Sequence, residues 1–443
     1  MEKYVLVHPM CTMDYIPNRM PFVEASGIMI EDFEGREYYD LVSGLWNVPL
    51  GYRNEQVMAA IIDQTQKIGF CNLIEQPADI TVQYAQKLGG YFSGFFQKLV
   101  FTCSGSESSD LAIKLSRGYQ KAKGTKRKTI GVLNLSYHGT TYGAMSVSGI
   151  DCALTEDYQP LVGGVAWIPT PTPSDYANSD VWVCLFEAFV ESYKDELAGI
   201  MVEPVIASGG IVEIPADALK VLASLCREQD IVLIFDEVAT GFGRTGYMFA
   251  CEKVGVYPDV ICLSKAITNG YVPMGVVMFN GKVETAFLES GQIIEHFSTQ
   301  NGNPIACAAA MATLECLVQN YDSFEVNSKG QYFCNKLKNN FKNTNITIEF
   351  RQVGLMIALD IKNAHTQTTL KSEELFLISR KLRESGVLVY MFYNENINSG
   401  ISLLPPYIIT YEEIDAACSK IIRVINRMRI AYSTDEAYMG NRT

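Results

Sequence analysis

Residues 231–246 read IVLIFDEVATGFGRTG, and a short way on residues 260–275 read VICLSKAITNGYVPMG. Each stretch opens on a short apolar run and arrives at an ionisable side chain, Asp236 in the first and Lys265 in the second. Runs this short and this apolar fit strands buried on both faces of a parallel sheet. In an open α/β sheet, ligands bind at the carboxyl ends of such strands, which is where both residues fall. A carboxylate that ends IVLIF is costly to bury unless paired, the alternative being a strand-end aspartate that caps the next turn. A lysine after an apolar strand can be held partly desolvated with a lowered pKa, which suits a nucleophile and proton carrier. The alternative there is a surface lysine that starts a helix.

Working outward, KLVFTC, KTIGVLNL and LAGIMVEPV repeat the pattern between about residue 98 and residue 280, alternating with amphipathic stretches. The expected fold is α/β with a mostly parallel central sheet. KLVFTC runs directly into SGSES at 104–108, a strand, a small-residue turn and a helix start. Backbone N–H groups and the positive end of the helix dipole make Ser104, Gly105 and Ser106 a candidate phosphate cradle, with a plain helix N-cap as the alternative. IPTPTPSD at 168–175 is an excursion loop, because strand–helix alternation resumes after it. VEASGIMIEDFEGREYYDLV at 23–42 reads as a hairpin-like meander with Glu34-Gly35 near a turn. After residue 303, a helix in NPIACAAAMATLECLVQ precedes helices mixed with short strands such as MIALDI and VLVYMF. The expected division is an N-terminal arm at 1–50 packing with the small domain, a large domain at 51–310 and a smaller α+β C-terminal domain at 311–443.

The chain has 443 residues, enough for two domains. Its 36 basic and 49 acidic residues give a net charge of −13, which argues against nucleic acid as a partner and for a small molecule. Twelve cysteines without a C-x-x-C pair and four histidines without ligand spacing indicate reduced thiols, a cytoplasmic location and no metal site. No basic leader with an apolar stretch opens the chain, and no segment approaches the roughly 18 to 20 apolar residues of a membrane span.

Taken in order, GLWNVPLGY from Gly44, SGSES, YHGTTYG at 137–143, EPV at 203–205, the two opening stretches and NGNPIACAAA at 301–310 resemble class III, fold-type I, pyridoxal-phosphate-dependent aminotransferases. The chain is most similar to their amine, or omega, transaminases. The resemblance implies pyridoxal 5'-phosphate as cofactor in the large domain and Lys265 as its Schiff-base lysine. Asp236 would pair with the protonated pyridine nitrogen, keeping the ring cationic and electron-accepting. Val238 would press on the ring face, Tyr137 would stack on it, and His138 with Gly139 would shape the turn beside it. Glu203 would orient groups near the ring substituents, and Arg244 would be structural. Thr299 would reach the phosphate of a neighbouring subunit, implying a homodimer with shared sites. Trp46 resembles a large aromatic at the pocket mouth, with Leu45 and Tyr142 beside it.

The sequence departs from the family where a carboxylate would be held. The arginine often found shortly before Pro405-Pro406 is Ser402, and the glutamate that masks it is Ser208. No Lys or Arg occurs from 387 to 404, and Tyr390 or a neighbour takes the place of a flexible arginine. Arg53, Arg351 or Arg244 is left as a replacement from another position. The expectation is transamination from an amine or amino-acid donor to a ketone or aldehyde without a tightly clamped carboxylate, such as a tailoring step on a natural product or modified peptide. The same lysine and aspartate would also serve a decarboxylase, epimerase or aminomutase, and a non-catalytic scaffold that binds partner proteins is the remaining alternative.

Overall fold

The computed structural model describes residues 5–12, 15, 20–150, 152–342 and 344–428, so the outer ends of the expected first and third segments lie outside the described residues. Seven strands form the central sheet, in spatial order Phe96–Thr102, Gly275–Asn280, Val260–Leu263, Val232–Asp236, Leu197–Val202, Thr129–Leu133 and Val165–Ile168. The last five are parallel, and Gly275–Asn280 is antiparallel to both its neighbours. Every residue of LAGIMV, VLIFD and VICL is buried. Val232 and Ile234 point into one apolar core, with Leu111 and Leu115 of the helix Gly105–Ala122. Leu233 and Phe235 point into another, with Trp182, Phe186, Leu219 and Leu222 of the helices Ser179–Tyr193 and Ala216–Glu228. Alternating side chains enter different cores, and both are apolar, which is why these strands read as continuous hydrophobic runs.

The five apolar runs read from the sequence are strands, and two more join them. Gly275–Asn280 comes back beside Val260–Leu263 after a single 3₁₀ turn at Lys265–Thr268 and a bend through Asn269 and Gly270, both at positive φ, so no α-helix separates the two strands to announce it. Val165–Ile168, only four residues long, forms the edge next to the Pro-rich loop.

A second, wholly antiparallel sheet holds Ile346–Val353, Met356–Asn363, Asn398–Leu403 and Tyr390–Asn394 in that order. A third joins Phe22–Ser26, Met29–Asp32 and Glu37–Asp40 to Val387–Leu388, with the expected turn closed by Gly35 N–H donating to Asp32 O at 2.9 Å. VLVYMF is therefore split: its first two residues pair with the N-terminal strands, and from Tyr390 it belongs to the second sheet.

Two buried ions fasten the loop that follows Asp236. Arg244 donates to Pro405 O at 2.6 Å and to Ser43 Oγ at 3.2 Å, and lies over the Tyr407 ring. It thus joins the N-terminal segment, the central loop and the Pro405-Pro406 turn. Glu237, fully buried, accepts from Ala250 N and Cys251 N at the start of the helix Ala250–Val254 and from Thr240 Oγ1. Burial pushes its carboxyl up to about 7 against the pull of those bonds.

Arg244→Met is expected to cost about 3 kcal/mol, because it strands a buried carbonyl and severs a three-way contact. Chemical denaturation measures this, and an unchanged midpoint would mean the contacts are not kept in solution. Glu237 binds its proton more tightly folded than unfolded, so its contribution is present below pH 4.5 and is lost as pH rises towards and past 7. Glu237→Gln should flatten the fall in apoprotein stability between pH 5 and 8 by up to about 3 kcal/mol. Equal pH profiles for the two proteins would contradict this.

Candidate active site

The carboxyl edge of the central sheet gathers three ionisable groups from three strands, two buried carboxylates and a half-buried lysine. Asp236 closes Val232–Asp236, Glu203 follows Leu197–Val202, and Lys265 follows Val260–Leu263 by one residue. Asp236 Oδ2 lies 2.7 Å from His138 Nδ1, and Oδ1 accepts from Val238 N at 3.0 Å. A carboxylate has further lone pairs beyond these two bonds, so it can still take a cationic partner. His138 is pinned by its backbone: its N–H donates to Ser148 Oγ and its carbonyl accepts from Ser109 Oγ at 2.8 Å. Its ring Nε2 is buried and without a partner. The sequence marked His138 as part of a turn; its ring bond to Asp236 is the additional finding.

Glu203 accepts from Tyr137 N at 2.9 Å and from Ala207 N at 3.1 Å. Burial pushes its carboxyl up to about 7, with His138 opposing and Asp236 adding to the rise. Lys265 is half-buried in the same region, and desolvation lowers its pKa while Asp236 and Glu203 resist. Its backbone sits at φ 42, a strained left-handed conformation for a residue with a side chain.

Three loops close around the start of the helix Gly105–Ala122. Ser104 caps it, accepting from Glu107 N at 3.1 Å, so the first-turn N–H groups of Gly105 and Ser106 have no intrahelical acceptor. A Cβ on Gly105 would come within 2.9 Å of Val238 Cγ1, and one on Gly139, at φ 125, within 2.2 Å of Ser106 Oγ. Only glycine allows these approaches, which bring 104–106, 138–140 and 236–238 into one cluster. An anion-binding helix start, a carboxylate with spare acceptor capacity and a desolvated amine together fit a phosphate-bearing pyridinium aldehyde.

Trp46 is 3% exposed and lies over the reacting amine, with Lys265 Nζ 4.6 Å from its ring centroid. It is a buried wall beside the lysine where an open mouth was expected. Asp40 fixes the turn that carries it, accepting from Val42 N, Gly44 N and Tyr52 Oη. The Tyr390 ring meets the indole edge-on at 5.0 Å. Leu45 and Tyr142 are exposed, at 56% and 58%. Tyr137 is half-buried, and Thr299 is exposed. The segment carrying Thr299 is tied to the helix Gly105–Ala122 by His296 Nε2 and Glu107 Oε1 at 3.1 Å, a contact that the sequence reading did not pick out.

Ser208 and Ser402 are both buried. Of the three arginines left as replacements, Arg53 pairs with Glu24 at the surface and Arg244 is engaged as described above. Arg351 bonds Asp360 Oδ2 and Gly210 O, both at 2.8 Å.

The sequence profile described as aminotransferase class-III matches residues 13–425. An omega-aminotransferase of Caulobacter vibrioides is 31% identical over 436 residues, covering 94% of this chain and 97% of its own. An acetylornithine aminotransferase of Methanothermobacter thermautotrophicus is 33% identical over 410 residues, covering 92% and 95%. Among solved structures, an amine transaminase from an uncultivated Pseudomonas species, in its PLP-bound form, superposes with a TM-score of 0.87 at 29% identity, covering 96% of this chain and 99% of that one. With the profile matched across residues 13–425, relatives above 30% identity over nearly the whole chain and the fold shared, the chain belongs to the class III aminotransferases, pyridoxal-phosphate-dependent enzymes of fold type I.

Proposed function

We propose that this protein moves an amino group from an amine or amino-acid donor to a ketone or aldehyde that presents no tightly clamped carboxylate. The observation that carries the reading is the half-buried Lys265 amine beneath Trp46 at the end of the sheet, its pKa lowered by desolvation while Asp236 and Glu203 resist. Pyridoxal phosphate, when bound, supplies an aldehyde that takes up amines and a cationic ring that accepts electrons. Asp236, steadied by His138, holds the negative charge that keeps such a ring protonated. Ser104, Gly105 and Ser106 bind the phosphate at the helix start. Val238 and Tyr137 confine the ring, and Glu203 fixes the Tyr137 turn through its backbone N–H. Lys265 Nζ would carry a proton to and from the substrate carbon. Trp46 and Tyr390 exclude water from that exchange and shape the substituent side of the pocket.

For the acceptor, Ser402 and Ser208 supply no charge where a carboxylate would be clamped, and Arg53 and Arg244 are engaged elsewhere. A bidentate guanidinium is the natural clamp for a carboxylate, and a hydroxyl does not replace it. Thr299, exposed in a single chain, fits a role at the phosphate of a partner subunit, hence a homodimer with shared sites. The division 1–50, 51–310 and 311–443 is retained: the pairing of Val387–Leu388 with Glu37–Asp40 ties the arm to the last segment, and the boundary at 310 passes through the helix Pro304–Asn320. No helix among the described residues is long and apolar enough to cross a membrane, and the cysteine usage favours the cytoplasm.

The test is the loss of visible cofactor absorption when amines are added to purified, loaded protein. Lys265→Ala should slow that half-reaction by about 10⁴-fold or more, whereas a rate close to that of the native enzyme would remove the lysine from the mechanism. In the return reaction, pyruvate and 2-oxoglutarate should require concentrations about tenfold or more above those of a carboxylate-free aldehyde. Tight use of either acid would overturn the acceptor assignment.

A further inference from the structure

Three buried donors on the side of the fold that faces Lys265 through Trp46 have no partner: Trp46 Nε1, Ser402 Oγ and Arg351 Nη2. Their alignment follows from strand register. Arg351 faces Ala358, Ala358 faces Ser402, and Ser402 faces Tyr390, so these four side chains leave the second sheet on one face. The Tyr390 ring abuts Trp46, and Trp46 abuts the lysine amine. A continuous strip thus runs from the reacting group to Arg351. Its surroundings are apolar, with Ala358, Phe392 and Leu404 among the buried neighbours. A buried donor without an acceptor costs about 1–3 kcal/mol, a cost understandable where a ligand brings the acceptor.

Arg351 does not offer a carboxylate clamp. Its Nε donates to Gly210 O and its Nη1 to Asp360 Oδ2, so each parallel pair of N–H groups on the guanidinium already has one arm engaged. Asp360, fully buried, offsets its charge and would repel a second carboxylate. What remains is single N–H and O–H groups on a wall without net charge.

We propose that Trp46, Ser402 and Arg351 form a net-neutral donor subsite, two of whose groups take the carbonyl oxygen of a carboxamide or ester on the substrate amine, in place of a free carboxylate. The proposal rests on the aminotransferase reading and names the substrate class for that same site. A carbonyl oxygen accepts two hydrogen bonds without bringing a charge that the buried Asp360 would oppose.

The experiment compares the half-reactions of the loaded enzyme with alaninamide, alanine and isopropylamine, in both enantiomers where they exist, with rates referred to unprotonated amine. Alaninamide should exceed alanine in kcat/KM by about tenfold or more. Ser402→Ala should lower the ratio of alaninamide to isopropylamine by about three- to tenfold, and Ser402→Arg should shift preference towards alanine by about tenfold or more. Unreactive 2-hydroxypropanamide should protect the loaded protein against thermal unfolding at lower concentration than lactate. Preference for alanine in the native enzyme, or an unchanged ratio in Ser402→Ala, overturns the subsite while leaving the aminotransferase reading intact. No reaction with any of the three amines overturns that reading and the subsite with it.

Discussion

The carboxylate of Asp236 ends a strand whose other side chains are all buried in two apolar cores and is itself largely buried, so it must be answered by nearby groups. His138 does so at 2.7 Å, and the demand spreads from there. For the imidazole to stay in place, the Tyr137–Gly139 turn has to be held, and Ser109, Ser148 and Glu203 hold it from three other segments. Glu203 is itself buried and bonded to two backbone N–H groups, one on each side of the site. One buried charge thereby organises the carboxyl ends of three strands. Lys265 shares the same low-dielectric region, where burial disfavours its cation and two acidic side chains favour it. The amine is held between these opposing effects.

The reacting group and the wall opposite it belong to different cores. Lys265 stands on the large sheet, Tyr390 on the antiparallel one, and Trp46 on a turn leading from the N-terminal strands. Their separation is set by contacts between sheets more than by any one strand. Arg244 is central to this, because its guanidinium reaches Ser43 beside the Trp46 turn and Pro405 beside the last strand, while its backbone leaves the Asp236 loop. A cation with that little exposure persists only because carbonyl, hydroxyl and ring each face it.

Strands buried on both faces were legible, since their apolar runs reflect two cores at once. Gly275–Asn280 was not, because a short 3₁₀ turn stands where an α-helix would have marked a new unit. Asp236 and Lys265 were legible as the polar ends of apolar runs. The bond from Asp236 to His138 was not, since the residues lie 98 apart and nothing local to either reveals the other. Trp46 was read as rim although it is buried, because an aromatic in a glycine-rich turn carries no sign of what folds over it. The row of Arg351, Ala358, Ser402 and Tyr390 arises from antiparallel register between three strand pairs, which sequence periodicity within one strand does not encode.

That row changes what the missing arginine means. Serine at 402 removes a charge, yet the wall does not become hydrocarbon: a hydroxyl, an indole N–H and one arm of a neutralised guanidinium remain, all buried and without partners. An apolar substituent would leave each of these donors unsatisfied, and a carboxylate would bring a charge next to the fully buried Asp360. Both extremes are penalised by the same side chains. A neutral acceptor satisfies the donors without adding charge, so the electrostatics of this wall select against a free acid and against plain hydrocarbon together.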